Sequence, residues 1–429
     1  MKLKIFTTSA LLMACALSAV AGNNYPTCKE IKSIPLPPSG KRWIVNEQFS
    51  DEFNGTELDQ TKWIDHHPTW KGRYPALFKP ENVSLKDGYL RLKGSVLDKP
   101  EPIKYNDSLA NFYAGGAAVV SRTQEAHFGY YECSFKANQL TLSSTFWFST
   151  RGKQASTEGT QPKGAPEGRF SQELDVCECV GKVGDYSGKA FSQGMNSNIH
   201  YWFSPTEGKR QDVRVKDVRL KIEDGSLPRD GFNTYGVWWR DEENASFYLN
   251  NGQESHRNFI GKAQGKPWKD PYDHKFRFTQ TMGMNLVVET YPYPWIPLPT
   301  LDELRDDTRN TTLYDWVRAY RLVDAKASNK GTKAMFMFED LINVRASESA
   351  KNVSIRYTAE GDRQIEITVY DSKGKKVASQ SIDALAGYAN LDIVVSKIAK
   401  VKKGESYTVV ASLKKGGKTI TADSHKYSI

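Results

Sequence analysis

The stretch Ser171-Gln172-Glu173-Leu174-Asp175-Val176-Cys177-Glu178-Cys179 limits the folds open to this chain more than any other. Three carboxylates fall within six residues, set among β-formers with no helix-length apolar period, which predicts one strand of a sheet. Glu173 and Asp175 are two apart and share a face. Glu178 lies five residues from Glu173, so a regular strand would turn it to the opposite, buried face, where an unpaired charge is costly. One inserted residue resolves the conflict. A β-bulge near Val176-Cys177 makes the pair behave as i and i+4 and returns Glu178 to the side of the other two acids.

That arrangement suggests a chemistry. At ~3.3 Å per residue, positions i and i+4 are ~13 Å apart along a strand. Two glutamates leaning together close this to roughly 5 or 6 Å, near the ~5.5 Å of retaining glycosidases and short of the inverting spacing. Glu173 is the expected nucleophile and Glu178 the acid/base. Asp175, between them, is expected to orient Glu173, its charge helping to keep a shared proton on the acid/base partner. A solvated acidic strand face is the plain alternative.

The 429 residues suffice for two domains. Lys2 and Lys4 precede an apolar run from Ile5 to Val20 that ends in Ala19-Val20-Ala21, the pattern of a secretory signal over residues 1–21. The expected location is therefore secreted or periplasmic. A rival reading takes Leu12-Met13-Ala14-Cys15 as a lipobox, and Cys15 as the anchor of an outer-membrane lipoprotein; only then is a membrane a partner. Residues 22–40 read as an N-terminal extension. Four cysteines follow the leader, Cys28, Cys133, Cys177 and Cys179. Buried thiols are expected rather than a metal site, since no histidines stand near them at ligand spacing. The net charge of +9 is spread along the chain, and no basic motif argues for nucleic acid.

Residues 41–323 alternate short strands with Gly, Asn, Asp and Pro turns, including a hairpin at Asp87-Gly88 and a turn at Asn251-Gly252, with at most one short helix over Leu301 to Arg309. The class is all-β, two antiparallel sheets packed face to face. Residues 324–333 read as a polar linker. Residues 334–429 form a small Ig-like β-sandwich, for which a spacer, a carbohydrate-binding module and a sorting domain compete. All ten tryptophans lie at or before Trp316, so the spacer leads, with Tyr388 or Tyr407 left as binding candidates.

The run Glu-Leu-Asp-Val-Cys-Glu resembles the bulged catalytic signature of glycoside hydrolase family 16. Asp51-Glu52-Phe53-Asn54-Gly55, Phe128-Gly129-Tyr130-Tyr131-Glu132, Tyr235-Gly236-Val237-Trp238-Trp239 and Asp315-Trp316-Val317-Arg318 match it in order, over about residues 40 to 323. The resemblance implies a jelly roll whose concave sheet forms a substrate cleft, and places Trp147 beside the cleaved sugar. Trp70 and Arg73, in Trp70-Lys71-Gly72-Arg73-Tyr74-Pro75, look like a loop over the negative subsites, and His200 suits a positive-subsite contact. Glu289 and Trp295 are further cleft candidates, while Arg151 and Arg169 could meet a sulfate or ring hydroxyls. Trp238, Trp239 and Trp316 are assigned to packing, and His66-His67 to a solvated loop.

The loop around Arg73 looks most like family members that cut red-algal galactans, the β-porphyranases and β-agarases. The expected partner is an agar- or porphyran-type chain cleaved at β-1,4 bonds. Kappa-carrageenase, then laminarinase or lichenase, are the alternatives, and a lectin-like galactan binder is the non-enzymatic one. No cofactor is required. Some relatives hold a structural calcium on the convex side, and Glu52 with Asp315 leaves one open here.

Overall fold

The strand Gly168–Val180 carries the three acids, and its pairing on both sides displays the extra residue. On one side, along Ser143–Ser149, Glu173 lies opposite Ser149 and Glu178 opposite Thr145; on the other, along Gly194–Pro205, the same two acids face His200 and Asn196. Five steps on the acid strand therefore match four on each neighbour, with the shift between Asp175 and Glu178. The consecutive Val176 and Cys177 both enter the core, fully buried with Leu174 and Cys179. A bulge leaves a carbonyl without its ladder partner. Here Ser197 Oγ donates to Val176 O at 2.6 Å.

The computed structural model describes residues 25–32, 34–152, 154–156, 158, 167–214, 218–258, 277–328 and 337–428. The expected signal segment 1–21, with Cys15, and residues 329–333 of the expected linker lie outside them. Among the described residues no helix is long and apolar enough to cross a membrane.

The chain forms two compact units. The larger, Gln48–Ala319, is the expected two-sheet sandwich. Its acid-bearing sheet runs Gln211–Arg214, Gly194–Pro205, Gly168–Val180, Ser143–Ser149, Gly283–Val288, Ser108–Ser121 and Trp63–Ile64. The second sheet runs Gln253–Asn258, Asn244–Leu249, Asn233–Trp239, Gly129–Lys136, the strand beginning at Thr311, Tyr89–Lys93 and Val83–Lys86. The expected hairpin at Asp87-Gly88 joins Val83–Lys86 to Tyr89–Lys93, both turn residues having positive φ, and Leu301–Arg305 is the expected short helix, closed by a Thr300/Glu303 capping box. Between the sheets pack Phe135, Phe146, Phe148, Leu174, Val176, Tyr235, Trp239, Leu286 and Tyr314. Cys133, Cys177 and Cys179 are free buried thiols.

The second unit comprises Tyr320 onward together with the chain up to Glu47. Lys41–Val45, at the start of the expected catalytic domain, joins this unit, pairing with Tyr320 to Asp324 on one edge and with Gly387–Val394 on the other. Arg42 fixes it there, donating to the carbonyls of Ala325, Ala327 and Ala386. A four-stranded sheet, Lys376–Ala384, Arg363–Asp371, Ser406–Lys415 and Lys418–Ser428, completes the unit. Tyr388 and Tyr407 are buried, 4% exposed each, so neither offers the binding face considered for it.

At the end of the acid strand the chain passes Asn138 so closely that a Cβ on Gly181 would lie 1.5 Å from its carbonyl oxygen. Asn138 cannot yield, since its side chain bonds Ser144, Thr312 and the Leu140 amide inside the core. Gly181→Ala is expected to destabilise the protein by ~1–3 kcal/mol, the usual range for overpacking, read as a lower urea midpoint at unchanged slope.

Candidate active site

Alternation on Gly194–Pro205 places Asn196, Asn198, His200 and Trp202 on one face, opposite Glu178, Asp175, Glu173 and Ser171 in turn. An oxygen or nitrogen from each of Glu173, Asp175 and His200 lies within 4.8 Å of the others. His200 Nε2 is 3.9 Å from Glu173 Oε1 and 3.6 Å from Asp175 Oδ2. Its Nδ1 is 2.8 Å from Asp212 Oδ1, which makes Nδ1 the natural site of the ring proton and leaves Nε2 to accept from Asn198 Nδ2 at 3.1 Å. Glu173 keeps 26% of its side chain accessible while Asp175 keeps 6%, so substrate can reach the first and not the second. Glu178 accepts from the Tyr291 hydroxyl at 2.7 Å.

The opposite flank is aromatic and basic. Trp70 meets Phe78 edge to face at 4.9 Å and Trp147 at 6.2 Å, and Trp147 is the register partner of Asp175. Arg73 follows Gly72, whose φ of +124° and 2.4 Å approach of a hypothetical Cβ to Ala76 O admit only glycine. That turn delivers the guanidinium to Glu289, 3.2 Å away, to the Tyr293 hydroxyl, and over the rings of Trp70, Tyr291 and Tyr293 at 5.6, 5.4 and 5.3 Å. Trp295, 43% exposed, stacks on Tyr293 at 4.7 Å.

Burial governs the proton affinities. It raises Glu173, with Glu178 adding to the rise and His200 opposing it; it raises Asp175 further, helped by the charges of Glu173 and Glu178. Burial likewise lifts Glu289 to about 7 against the pull of Arg73. The Arg73–Glu289 pair acts unequally on its members. Burial works against the charged Arg73 too, but Glu289, Tyr291, Glu178 and Glu173 together outweigh it and leave the guanidinium firmly charged.

Seven of the eleven expected site residues, Glu173, Asp175, Glu178, His200, Trp147, Arg73 and Glu289, belong to this linked arrangement, with Trp70 packed against it and Trp295 at its rim. Of the two remaining arginines, Arg151 does not serve as expected. Arg151 is buried over Gly283 with its guanidinium committed to Thr123 O at 2.8 Å and Ser121 Oγ at 3.4 Å, and burial holds it down to about 10. Arg169 is exposed near the start of the acid strand, opposite Ser204 and Ser156, four residues from Glu173. His67 is no solvated loop residue, because it lies buried parallel to Trp147 at 6.5 Å, and desolvation takes it down to about 4. Glu52 gives both oxygens to Arg318 at 2.8 and 3.0 Å, which suits it poorly as a calcium ligand.

Residues 43–322 match the model of the glycoside hydrolase family 16 domain of β-porphyranases A–D. The chain belongs to that family. A second match, over residues 337–425, is to the porphyranase-associated domain. The β-porphyranase D of Zobellia galactanivorans is 42% identical over 401 residues, covering 91% of this chain and 89% of that protein. The crystal structure of a β-porphyranase from the gut bacterium Bacteroides plebeius, 36% identical, superposes with a TM-score of 0.58 over 68% of this chain and 96% of its own. β-Agarase A of Zobellia galactanivorans, 20% identical with a TM-score of 0.52 over 68% of this chain and 96% of its own, shares the fold. The chain is thus a family 16 glycoside hydrolase.

Sequence reasoning missed Tyr291, Tyr293, Asp212 and Trp202. A signal was there for three of them. Glu289, Tyr291, Tyr293 and Trp295 recur every second residue, as do Asn196, Asn198, His200 and Trp202, the signature of one face of an extended segment. Asp212 carries no such mark.

Two outcomes are expected of this geometry. Tyr291→Phe removes the donor to Glu178 and should lower kcat/KM about tenfold, the scale of a hydrogen bond to a charged group, in steady-state assays on the polysaccharide. Glu289, raised from 4.5 to about 7, gives a stabilising contribution that is complete below pH 4.5 and is lost as pH rises through 7. Relative to Glu289→Gln, the wild type should therefore lose thermal stability between pH 5 and pH 8; a constant difference in Tm at the two values contradicts the assignment.

Proposed function

We propose that this enzyme is a retaining endo-hydrolase of a red-algal galactan, cleaving β-1,4-galactosidic bonds, with porphyran the preferred chain. The observation that carries the mechanism is the bulge register, which aligns Glu173 and Glu178 over four-residue intervals of both neighbouring strands. In the first step Glu178, protonated, gives its proton to the glycosidic oxygen as that oxygen leaves C1. Glu173 attacks C1 from the other side and becomes the glycosyl ester. Glu178, now a carboxylate, takes a proton from water, whose oxygen attacks C1 and displaces Glu173, so both acids end as they began. Asp175, whose carboxyl is pushed well up by burial and by the charges of Glu173 and Glu178, favours its protonated form and so a neutral neighbour to Glu173, where the sequence suggests a charged one.

Support for the galactan comes from the relatives, whose names are porphyranase or agarase, and from the Arg73, Trp70 and Trp147 wall suited to a sugar's C–H face beside its polar groups. A lectin-like binder is expected to lack one of the acids, and all three are present. Export through the leader at residues 1–21 fits a substrate too large to enter a cell. The role proposed for residues 334–429 is a spacer, consistent with the absence of tryptophan from that segment and with the burial of Tyr388 and Tyr407.

Glu173→Gln and Glu178→Gln are each expected to lower release of reducing ends from porphyran by at least ~100-fold while leaving the melting temperature near that of the wild type. NMR of the first products should show the β-anomer. Full activity in either variant, or initial α-product, ends the mechanism; products from laminarin or lichenan alone end the galactan reading.

A further inference from the structure

A second recognition element stands on the flank of the acids away from Arg73. Trp202 lies two residues, ~7 Å, along its strand from His200 and on the same face, and the two rings stack at 4.9 Å with an interplanar angle of 6°. Arg210 lays its guanidinium over the same indole, 4.2 Å from the ring centroid. Glu173, His200, Trp202 and Arg210 thus form a continuous row leading out from the nucleophile.

The state of Arg210 differs from that of Arg73 and Arg151. Arg73 is spent on Glu289 and Tyr293, and Arg151 on Ser121 and Thr123. Arg210 is exposed, and among the described residues its one recorded partner is the indole, which holds a guanidinium by its face and leaves the in-plane N–H donors open. A planar fork held flat in this way suits an oxyanion that accepts two parallel hydrogen bonds, and a sulfate ester, ionised at every working pH, is such a group. An indole with a fixed cation is a poor match to an uncharged sugar alone, for which a bare aromatic face serves.

We propose that Arg210, held on Trp202, binds a sulfate ester of the galactan on the His200 side of the scissile bond, and so sets the enzyme's preference for a sulfated over an unsulfated sugar there. This rests on the galactan reading above. Arg210 touches the sulfate and not the reacting atoms, so its effect is on specificity.

The test compares kcat/KM on porphyran with kcat/KM on the same polysaccharide after alkali has eliminated its 6-sulfate to the anhydro bridge. Arg210→Gln is expected to lower the sulfated-to-desulfated ratio about tenfold, the scale of a charge-assisted hydrogen-bonded contact. Arg210→Lys, which keeps the charge and loses the fork, should recover part of that preference. A folding defect lowers both activities together and leaves the ratio where it was. An unchanged ratio in Arg210→Gln, with the wild type cleaving porphyran, overturns this proposal alone. A wild type that leaves porphyran intact overturns both it and the reading on which it rests.

Discussion

The inserted residue between Asp175 and Glu178 is the constraint on which the site depends. Without it, a strand buried on its other face would have to bury Glu178 in the core now filled by Val176, Cys177 and Cys179. With it, two adjacent side chains go inward, two flanking acids go outward, and the carbonyl that loses its ladder partner is satisfied by Ser197. The distortion is therefore held from both sides. Its neighbours keep regular spacing, so the sheet around the bulge remains a rigid frame for chemistry that needs placement within fractions of an ångström.

Electrostatics follow from that placement. Four carboxyls, Glu173, Asp175, Glu178 and Glu289, share the cleft with Arg73 and His200 as the cationic or protonatable counterweights. Full ionisation would leave the site strongly negative, hostile both to its own folding and to a sulfated chain. Burial pushes Asp175 and Glu289 upward, which favours protons on those two in place of counter-ions. A retaining mechanism needs one acid charged and one protonated at the start. The exposure difference between Glu173 and Asp175 decides which of the two adjacent acids carries charge, since solvent reaches Glu173 and Asp175 is sealed.

Much of this was legible in the chain. The spacing of Glu173, Asp175 and Glu178 implied the bulge because side-chain alternation admits no other way to keep all three on one face, and the paired turns marked the sandwich. What sequence could not supply was partnership. Arg151 and Arg73 look alike in a string of letters, yet Arg151 is buried with its guanidinium on Thr123 O and Ser121 Oγ, whereas the turn at Gly72 aims Arg73 into the cleft. His67 looked like a loop histidine because nothing local announces that Trp147, eighty residues on, lies parallel to its ring. The strand Lys41–Val45 was assigned by its neighbours in sequence, but its outer edge pairs with Gly387–Val394, a long-range choice no local pattern encodes.

The two period-2 runs suggest how such sites are read more fully. Glu289, Tyr291, Tyr293 and Trp295 continue one edge of the cleft, and Asn196, Asn198, His200 and Trp202 line the strand on the other. Each run was visible as an alternation of polar and aromatic residues where a solvated sheet face would carry mostly charged and small ones. Once the acid strand fixes which face is catalytic, register carries that assignment across hydrogen-bonded neighbours, because paired residues point the same way. Glu173 thereby nominates His200, and His200, through alternation, nominates Trp202. The cleft is better described as two extended walls set by the acids than as a list of separate contacts.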